Sequence, residues 1–371
     1  VKNINLYNLI LGLSAIMLCT IAIVVSKYGL ASAGPLMIFF LLILAIGCRG
    51  YERLKGFSYS LVIFSAVTLA LYYPDYFIQY DGFAFSGLIT PLIQLIMFGM
   101  GTSMSVKDFV EVIRSPKKVV LGSMVQFTVM PIIGFTLAQL SGFPPEIAAG
   151  MILIGCSPSG MASNVMAYLA KANLALSITL TSVSTLCAPL ITPLLMKLLA
   201  GTFIEIDVMK MMWDIVKMVI LPIGGGLLFN WIFMGKLKWM NTVMPFVSMT
   251  GIACIIVIIT AAGRDSLLHI GGLLVLFVLI HNVSGYLLGY WMGRAFKFDE
   301  RDCRTLAIET GMQNGGLASG IAKEIGRLAT TGLAPAVFGP LMNITGSILA
   351  SYWQKKTIKE GVEQKNEVER T

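Results

Sequence analysis

The sequence predicts an all-α polytopic membrane protein with about 12 transmembrane helices, and three observations carry that prediction. Residues of the AVILMFWYC set make up 56% of the 371 positions. Charged side chains make up only 12%, about half of the ~25% usual in globular chains. Apolar stretches bounded by charges or turn residues recur along the whole chain. Twelve spans of ~20 residues each would take ~240 positions and leave no room for a separate soluble domain, so the membrane part must contain the function. The net charge of +8 would suggest nucleic acid in a soluble chain. Here its first meaning is a bias of basic residues toward cytoplasmic loops, and no nucleic-acid partner is expected.

The runs are taken in order. The first, at 6 to 26, follows a single charge at Lys2 and precedes a second run at 34 to 48 with no A-x-A cleavage signature. Both are therefore expected to be retained as spans. Further runs lie at 57 to 73, 86 to 104, 119 to 141, 147 to 170, 174 to 198, 209 to 231, 244 to 262, 270 to 293, 303 to 322 and 334 to 354. With both termini cytoplasmic, 20 of the 27 Lys and Arg residues fall on the inside, including Arg53, Lys107, Lys236, Lys238, Arg301 and Arg304. Only Lys27, Lys197, Arg264, Lys323 and Arg327 fall outside, as the positive-inside rule requires of twelve spans. Lys210 and Lys217 sit in the eighth run, where Asp214 is within i, i+3 reach of Lys217 and is expected to neutralise it. The six cysteines are scattered without disulfide or zinc spacing and are expected to act as small apolar residues.

Runs three to seven and eight to twelve form two blocks of nearly equal length. Five is odd, so the second block enters the membrane from the opposite side, which is the arithmetic of an inverted repeat. The expected division is 1–56 for two extra helices, 57–198 and 199–356 for the repeats, and 357–371 for a polar cytoplasmic tail.

The fourth run of each block is interrupted. The sixth run reads Gly155-Cys-Ser-Pro-Ser-Gly-Met-Ala-Ser-Asn164, and the eleventh contains Ile308-Glu-Thr-Gly-Met-Gln-Asn-Gly-Gly316. A helix broken at that depth frees backbone groups, which persist in lipid only inside protein or at a wet cavity. Glu309 would cost at least ~2.5–3.5 kcal/mol at a helix centre and so needs a partner. No Lys or Arg sits in either of these stretches, which points to a bound cation. A hard monovalent cation wants several oxygens. The seventh run has Ser177, Thr181 and Ser184 on one helical face, and the fifth has Gln126 five residues before Pro131. For each hydroxyl, back-bonding to its own helix is the alternative. His281, beside Asn282 in the tenth run, is read as a structural hydrogen-bonding group.

The stretches FGMGTSM (98–104), SPSGMASNVMAYLAKANLALS (157–177), TSVSTLCAPLITP (181–193) and ETGMQNGGLA (309–318) resemble the bile acid:sodium symporter family. The resemblance extends over about 57–356. It implies a ten-helix unit of two inverted repeats, in which runs three, four, eight and nine form a panel. The other six would form a core in which runs six and eleven unwind and cross. It also implies two sodium ions. One would be held by Ser163, Asn164, Ser177, Thr181 and Glu309, the other by Gln126 and Gln313 with carbonyls of Glu309, Thr310 and Met312. Ser159, Gly160, Met161, Asn314, Asn343 and Thr345 would face the substrate.

The function expected on these grounds is sodium-coupled import of an organic anion by alternating access. The anion would be a small carboxylate of the pantoate or 2-keto acid type, or a bile acid. The location would be a bacterial inner membrane, with lipid and a small molecule as partners and no obligate protein partner. Proton coupling with Glu309 as the relay is the first alternative, and a ligand-binding membrane receptor the second. No Ser-His, Asp-Asp or His-Glu-x-x-His pattern supports an enzyme.

Overall fold

The computed structural model describes residues 4–51, 54–104, 114–233 and 239–356. Lys2, Arg53, Lys107, Lys236, Lys238 and the tail at 357–371 lie outside the described residues.

Among the described residues the architecture is all-α apart from one short hairpin. α1 (Ile4–Tyr28), α2 (Gly34–Cys48) and α3 (Lys55–Tyr72) fill the first three runs. A four-residue helix, α4 (Asp75–Ile78), and the strands Gln79–Tyr80 and Phe83–Ala84 then lead into α5 (Ile89–Ser103). α6 (Pro116–Ser141) and α7 (Pro145–Cys156) each open on a proline, whose missing N–H costs nothing in a first turn. α8 (Ala162–Leu169) completes the sixth run and α9 (Leu174–Ala200) fills the seventh. α10 (Val208–Ile215), a π-helical turn (Val216–Ile220) and α11 (Leu221–Ile232) share the eighth. α12 (Met240–Ala262), α13 (Arg264–Ala295), α14 (Glu300–Gly311), α15 (Gly315–Glu324) and α16 (Leu333–Lys355) complete the chain. Among the described residues eight helices are long and apolar enough to cross a membrane.

Side-chain caps start three of the helices around the site. Asn173 caps α9, Asp299 caps α14 and Asn314 caps α15, each accepting from the backbone N–H three residues on. α1 packs on α2 and α2 on α3. Only 11% of the most apolar window of α1 is buried, and its Leu6, Leu9, Leu13 and Ile16 are exposed, as contact with lipid chains requires. The other extreme is α7, α9, α14 and α16, where Ile147–Ile154, Leu306–Ile308 and Leu333–Ala334 are buried. α13 lies against α14 through Gly285, Gly289 and Gly293. A Cβ at Gly289 would meet the Leu306 carbonyl at 2.8 Å and one at Gly293 the Cys303 backbone at 3.1 Å. Small residues at this spacing let two backbones approach where lipid gives no hydrophobic drive.

Three sequence expectations change. Asp214 and Lys217 form no ion pair among the described residues: the π turn begins between them and moves Lys217 out of the register that an α-helix would give. Arg304, counted with the cytoplasmic loop charges, is 2% exposed inside the protein. Ser184 does not join the other hydroxyls, because its Oγ bonds the Thr181 carbonyl of its own helix at 3.1 Å.

Candidate functional site

Both interruptions fall where the polar residues sit, and they meet. Between α7 and α8 the chain is extended at Ser157–Ser159, and between α14 and α15 at Met312–Gln313, with Ser159 and Gln313 paired antiparallel. The Gly160 N–H donates to the Met312 carbonyl at 2.9 Å and the Asn314 N–H to the Pro158 carbonyl at 2.8 Å. Each break thus satisfies backbone groups that the other leaves free, which makes a broken helix tolerable inside a membrane protein. Gly160 is required here, since a Cβ would lie 2.7 Å from the Gln313 carbonyl oxygen.

Glu309, 2% exposed, lies one turn before the second break. Its Oε1 accepts from Ser177 Oγ at 2.5 Å and Ser163 Oγ at 2.6 Å, and its Oε2 from Thr181 Oγ1 at 2.8 Å. Ser177 Oγ is also 2.9 Å from Asn164 Oδ1, and Ser163 Oγ is 3.2 Å from Thr181 Oγ1. Five side chains from α8, α9 and α14 therefore converge, and every atom turned to the centre is oxygen. No ion pair reaches Glu309 among the described residues. Hydroxyls that now donate to the carboxylate can rotate and turn lone pairs inward instead, so the set suits a hard, weakly charged cation. Among the described residues no three His, Cys, Asp or Glu side chains gather as a transition-metal site would require.

A second polar cluster lies on the far side of the break. Gln126 Nε2 donates to Gln313 Oε1 at 2.8 Å and to the Ser157 carbonyl at 3.1 Å, and Gln313 Nε2 donates to the Thr310 carbonyl at 2.7 Å. Gln126 Oε1 and Thr310 Oγ1 are buried with no hydrogen-bond partner. Unmatched buried oxygens are costly unless something electropositive meets them. The Met312 carbonyl is already occupied by Gly160 N–H and by Ser159 Oγ at 3.2 Å.

Of the residues expected to face substrate, Ser159, Gly160 and Asn314 lie in the crossing itself, with Met161 half-buried beside them. The other two are on α16. Asn343 donates to the Gly339 carbonyl of its own helix at 2.9 Å. Thr345 bonds Asn282 Oδ1 at 2.5 Å, and Asn282 Nδ2 in turn donates to the Gly311 carbonyl at 2.8 Å. Asn282 and Tyr286, whose hydroxyl donates to the Met342 carbonyl, are thus connecting residues that the sequence reading does not assign. An amide in mid-run, the signal that singles out Gln126, also marks Asn282. His281 is fully buried; its Nε2 bonds the Met130 carbonyl at 3.0 Å, and its Nδ1 is buried with no hydrogen-bond partner among the described residues.

Comparison with known proteins gives a consistent result. The model of the Sodium Bile acid symporter family matches residues 90–270, a segment that includes Gln126, Ser163, Asn164, Ser177 and Thr181 and ends before Glu309. The chain is 36% identical over 313 residues to the uncharacterized sodium-dependent transporter YocS of Bacillus subtilis (strain 168), covering 84% of this chain and 95% of that one. It is 33% identical over 268 residues to the probable sodium/metabolite cotransporter BASS1, chloroplastic, of Arabidopsis thaliana, covering 72% and 67% of the two chains. Over 305 residues it is 33% identical to the probable sodium/metabolite cotransporter BASS6, chloroplastic, of the same plant, covering 80% and 74%.

Proposed function

Since the chain belongs to the Sodium Bile acid symporter family, we propose that it is a sodium-coupled symporter that imports an organic anion by alternating access. The observation that carries this reading is Glu309, a buried carboxylate surrounded by the oxygens of Ser163, Asn164, Ser177 and Thr181 and by no cationic side chain. Sodium at that centre replaces the hydroxyl protons as the partner of the carboxylate. A second ion is drawn to Gln126 Oε1 and Thr310 Oγ1, the two buried oxygens without donors. The relatives' names, which carry sodium and metabolite transport, agree with this assignment.

The crossing then couples the ions to the anion. Ser163 belongs to α8 and Glu309 to α14, so an ion between them draws the two breaks together. The first turns of α8 and α15, positive by their dipoles, remain at the crossing to meet a carboxylate, near Met161 and Asn314. Sodium raises substrate affinity, and substrate raises sodium affinity by the same factor. Residues 57–198 and 199–356 act as inverted repeats in this reading, with the Arg304 end of the crossing toward the cytoplasm of a bacterial cell.

Reconstitution tests it. A sodium gradient at equal pH on both sides should drive uptake of pantoate, a 2-keto acid or cholate into proteoliposomes, and Glu309→Gln should abolish accumulation. A pH gradient that drives uptake without sodium would establish proton coupling instead, and a Glu309→Gln protein that still concentrates substrate with sodium would remove the carboxylate from the ion site.

A further inference from the structure

A cavity of about 320 Å³ lies between α3, α12, α13 and α16, and none of the residues that line it belongs to the crossing. Its wall is apolar except for Thr260, with Phe64 and Val67 contributed by α3 and Leu267, Gly272 and Val275 by α13. A Cβ on Gly272 would meet nothing within 4 Å, so this glycine keeps the space open. Gly272 and Val275 are exposed, as are Leu268, Leu273 and Leu276 around them. The mouth therefore opens on the outer surface of α13, a helix long and apolar enough to cross a membrane. Water finds too few polar partners to fill such a space, whereas a bilayer offers apolar chains at its mouth.

One end of the cavity carries a charge. Arg264, Leu267, Gly271 and Val275 follow at i, i+3, i+7 and i+11 and so share one face of α13, the face that lines the cavity. The Arg264 side chain reaches across to α3, where its Nε donates to the carbonyl of Leu71, one turn beyond Val67, at 2.6 Å. The guanidinium thus bridges the two helices at the end of the space between them. Its Nη1 donates to Asp265, a side chain that is 88% exposed, and its other N–H groups have no acceptor among the described residues. From Leu267 to Val275 the cavity runs about 12 Å along α13. That is within the ~15 Å that one leaflet contributes to a hydrocarbon core of ~30 Å.

We infer that this cavity is a binding site for a membrane phospholipid, with an acyl chain in the apolar space and the phosphate at Arg264. The space is about twice the ~150 Å³ of an apolar cavity that takes benzene, and its long axis leads away from the charge as a chain leads away from its headgroup. The planar guanidinium fork matches phosphate oxygens, and its free N–H groups supply the donors. α3 packs on α12 and α16, and α13 packs on α16. The lipid fills the wedge that remains between α3 and α13. In the division that the family resemblance implies, α3 and α12 belong to the panel and α13 and α16 to the core, so the chain lies in the seam between them.

The test uses the full chain, purified in detergent and stripped of lipid. Phosphatidylglycerol, diacylglycerol with the same chains, and glycerol phosphate are each added, and bound molecules are counted by native mass spectrometry. Phosphatidylglycerol should bind, diacylglycerol should bind about fivefold more weakly, the worth of one basic side chain at a headgroup, and glycerol phosphate should not bind. Arg264→Gln should lower phosphatidylglycerol to the level of diacylglycerol. Gly272→Leu, which places a side chain in the cavity, should lose both lipids. Gly224→Leu, at a glycine of α11 that also has open space around it, should bind as the unmodified protein does. An unchanged melting temperature without added lipid reports that each variant is folded, and Val275→Phe replaces Gly272→Leu if the latter melts lower. Equal retention in Gly272→Leu (or its replacement) and Gly224→Leu would mean lipid bound all round the protein and overturns the assignment. So does equal binding of phosphatidylglycerol and diacylglycerol to the unmodified protein, or binding of neither.

Discussion

The two ends of the crossing are tied by the same kind of contact made in opposite surroundings. At one end the turn after α8 is held to the start of α14. Arg304 Nη1 donates to the carbonyls of Ala170 and Trp353 at 3.1 and 3.2 Å, its Nε donates to Glu300 at 2.9 Å, and its guanidinium lies over the Trp353 ring. Beside it the fully buried Asp302 pairs with Lys118 and accepts from Asn173 Nδ2 at 2.7 Å. At the other end the turn after α15 is held to the start of α7, where Glu146 pairs with Arg327 and accepts from Thr330 Oγ1 at 2.6 Å. The Arg327 and Glu146 side chains are 36% and 37% exposed, against 2% for Arg304. Burial, and not the number of contacts, sets what each tie is worth, so the Arg304 end should be fixed and the Arg327 end yielding. A cavity of about 520 Å³ adjoins the yielding end and has Arg327 in its wall.

The largest expected effect breaks the buried tie. Arg304→Met leaves the buried Ala170 carbonyl without the Arg304 donor, the Trp353 carbonyl with only the Lys356 N–H, and Glu300 without its nearest cation, a loss of about 2–4 kcal/mol from an unmatched buried acceptor and lost hydrogen bonds to a charged group. Unfolding in mixed micelles measures it. A loss below ~1 kcal/mol would show that water already reaches this end and would erase the distinction between the two ends.

Glu146→Gln tests the other side of the comparison. The amide oxygen can still accept from Thr330, and Arg327 can turn to water, so stability should fall by only ~0–1 kcal/mol. The variant should release the turn after α15, and sodium-driven uptake should change in rate more than the protein changes in stability. A loss as large as that of Arg304→Met would make the two ends equivalent.

How much of this is legible in the sequence depends on how unusual each residue is for its place. Pro158, Gly160, Glu309 and the two amides after it cannot be explained as ordinary membrane-helix residues, so both breaks and the carboxylate stand out in the sequence alone. Arg304 does not, because an arginine four residues into a helix after a basic loop reads the same whether it is solvated or buried. Asp214 and Lys217 pair only if the segment is α-helical throughout, and a π turn leaves no mark in composition. Ser177, Thr181 and Ser184 share a face in sequence, yet only the first two come within reach of α14. That selection depends on where α14 crosses α9, which the chain near Ser184 does not encode.

The smallest effect concerns Asp299, at the solvated edge of the buried tie. Its Oδ1 caps α14 by accepting from Asp302 N–H at 2.9 Å, and its Oδ2 lies 3.5 Å from Lys118. Burial alone would raise its carboxyl, but the backbone N–H of Asp302, then the Asp302 side chain and then Lys118 outweigh that and hold it below the usual carboxylate range. A carboxyl depressed in the folded state adds stability that is present above its unfolded value, about 3.9, and is lost as the pH falls through its folded value. Asn caps a helix as well as Asp, so Asp299→Asn removes only the exposed ion pair, worth a few tenths to about 1 kcal/mol near neutral pH. The two proteins should converge in stability as the pH is lowered past the folded value of Asp299. A difference that persists undiminished in acid would mean that the substituted amide disturbs the cap itself, and that the solvated edge is bound into the buried tie.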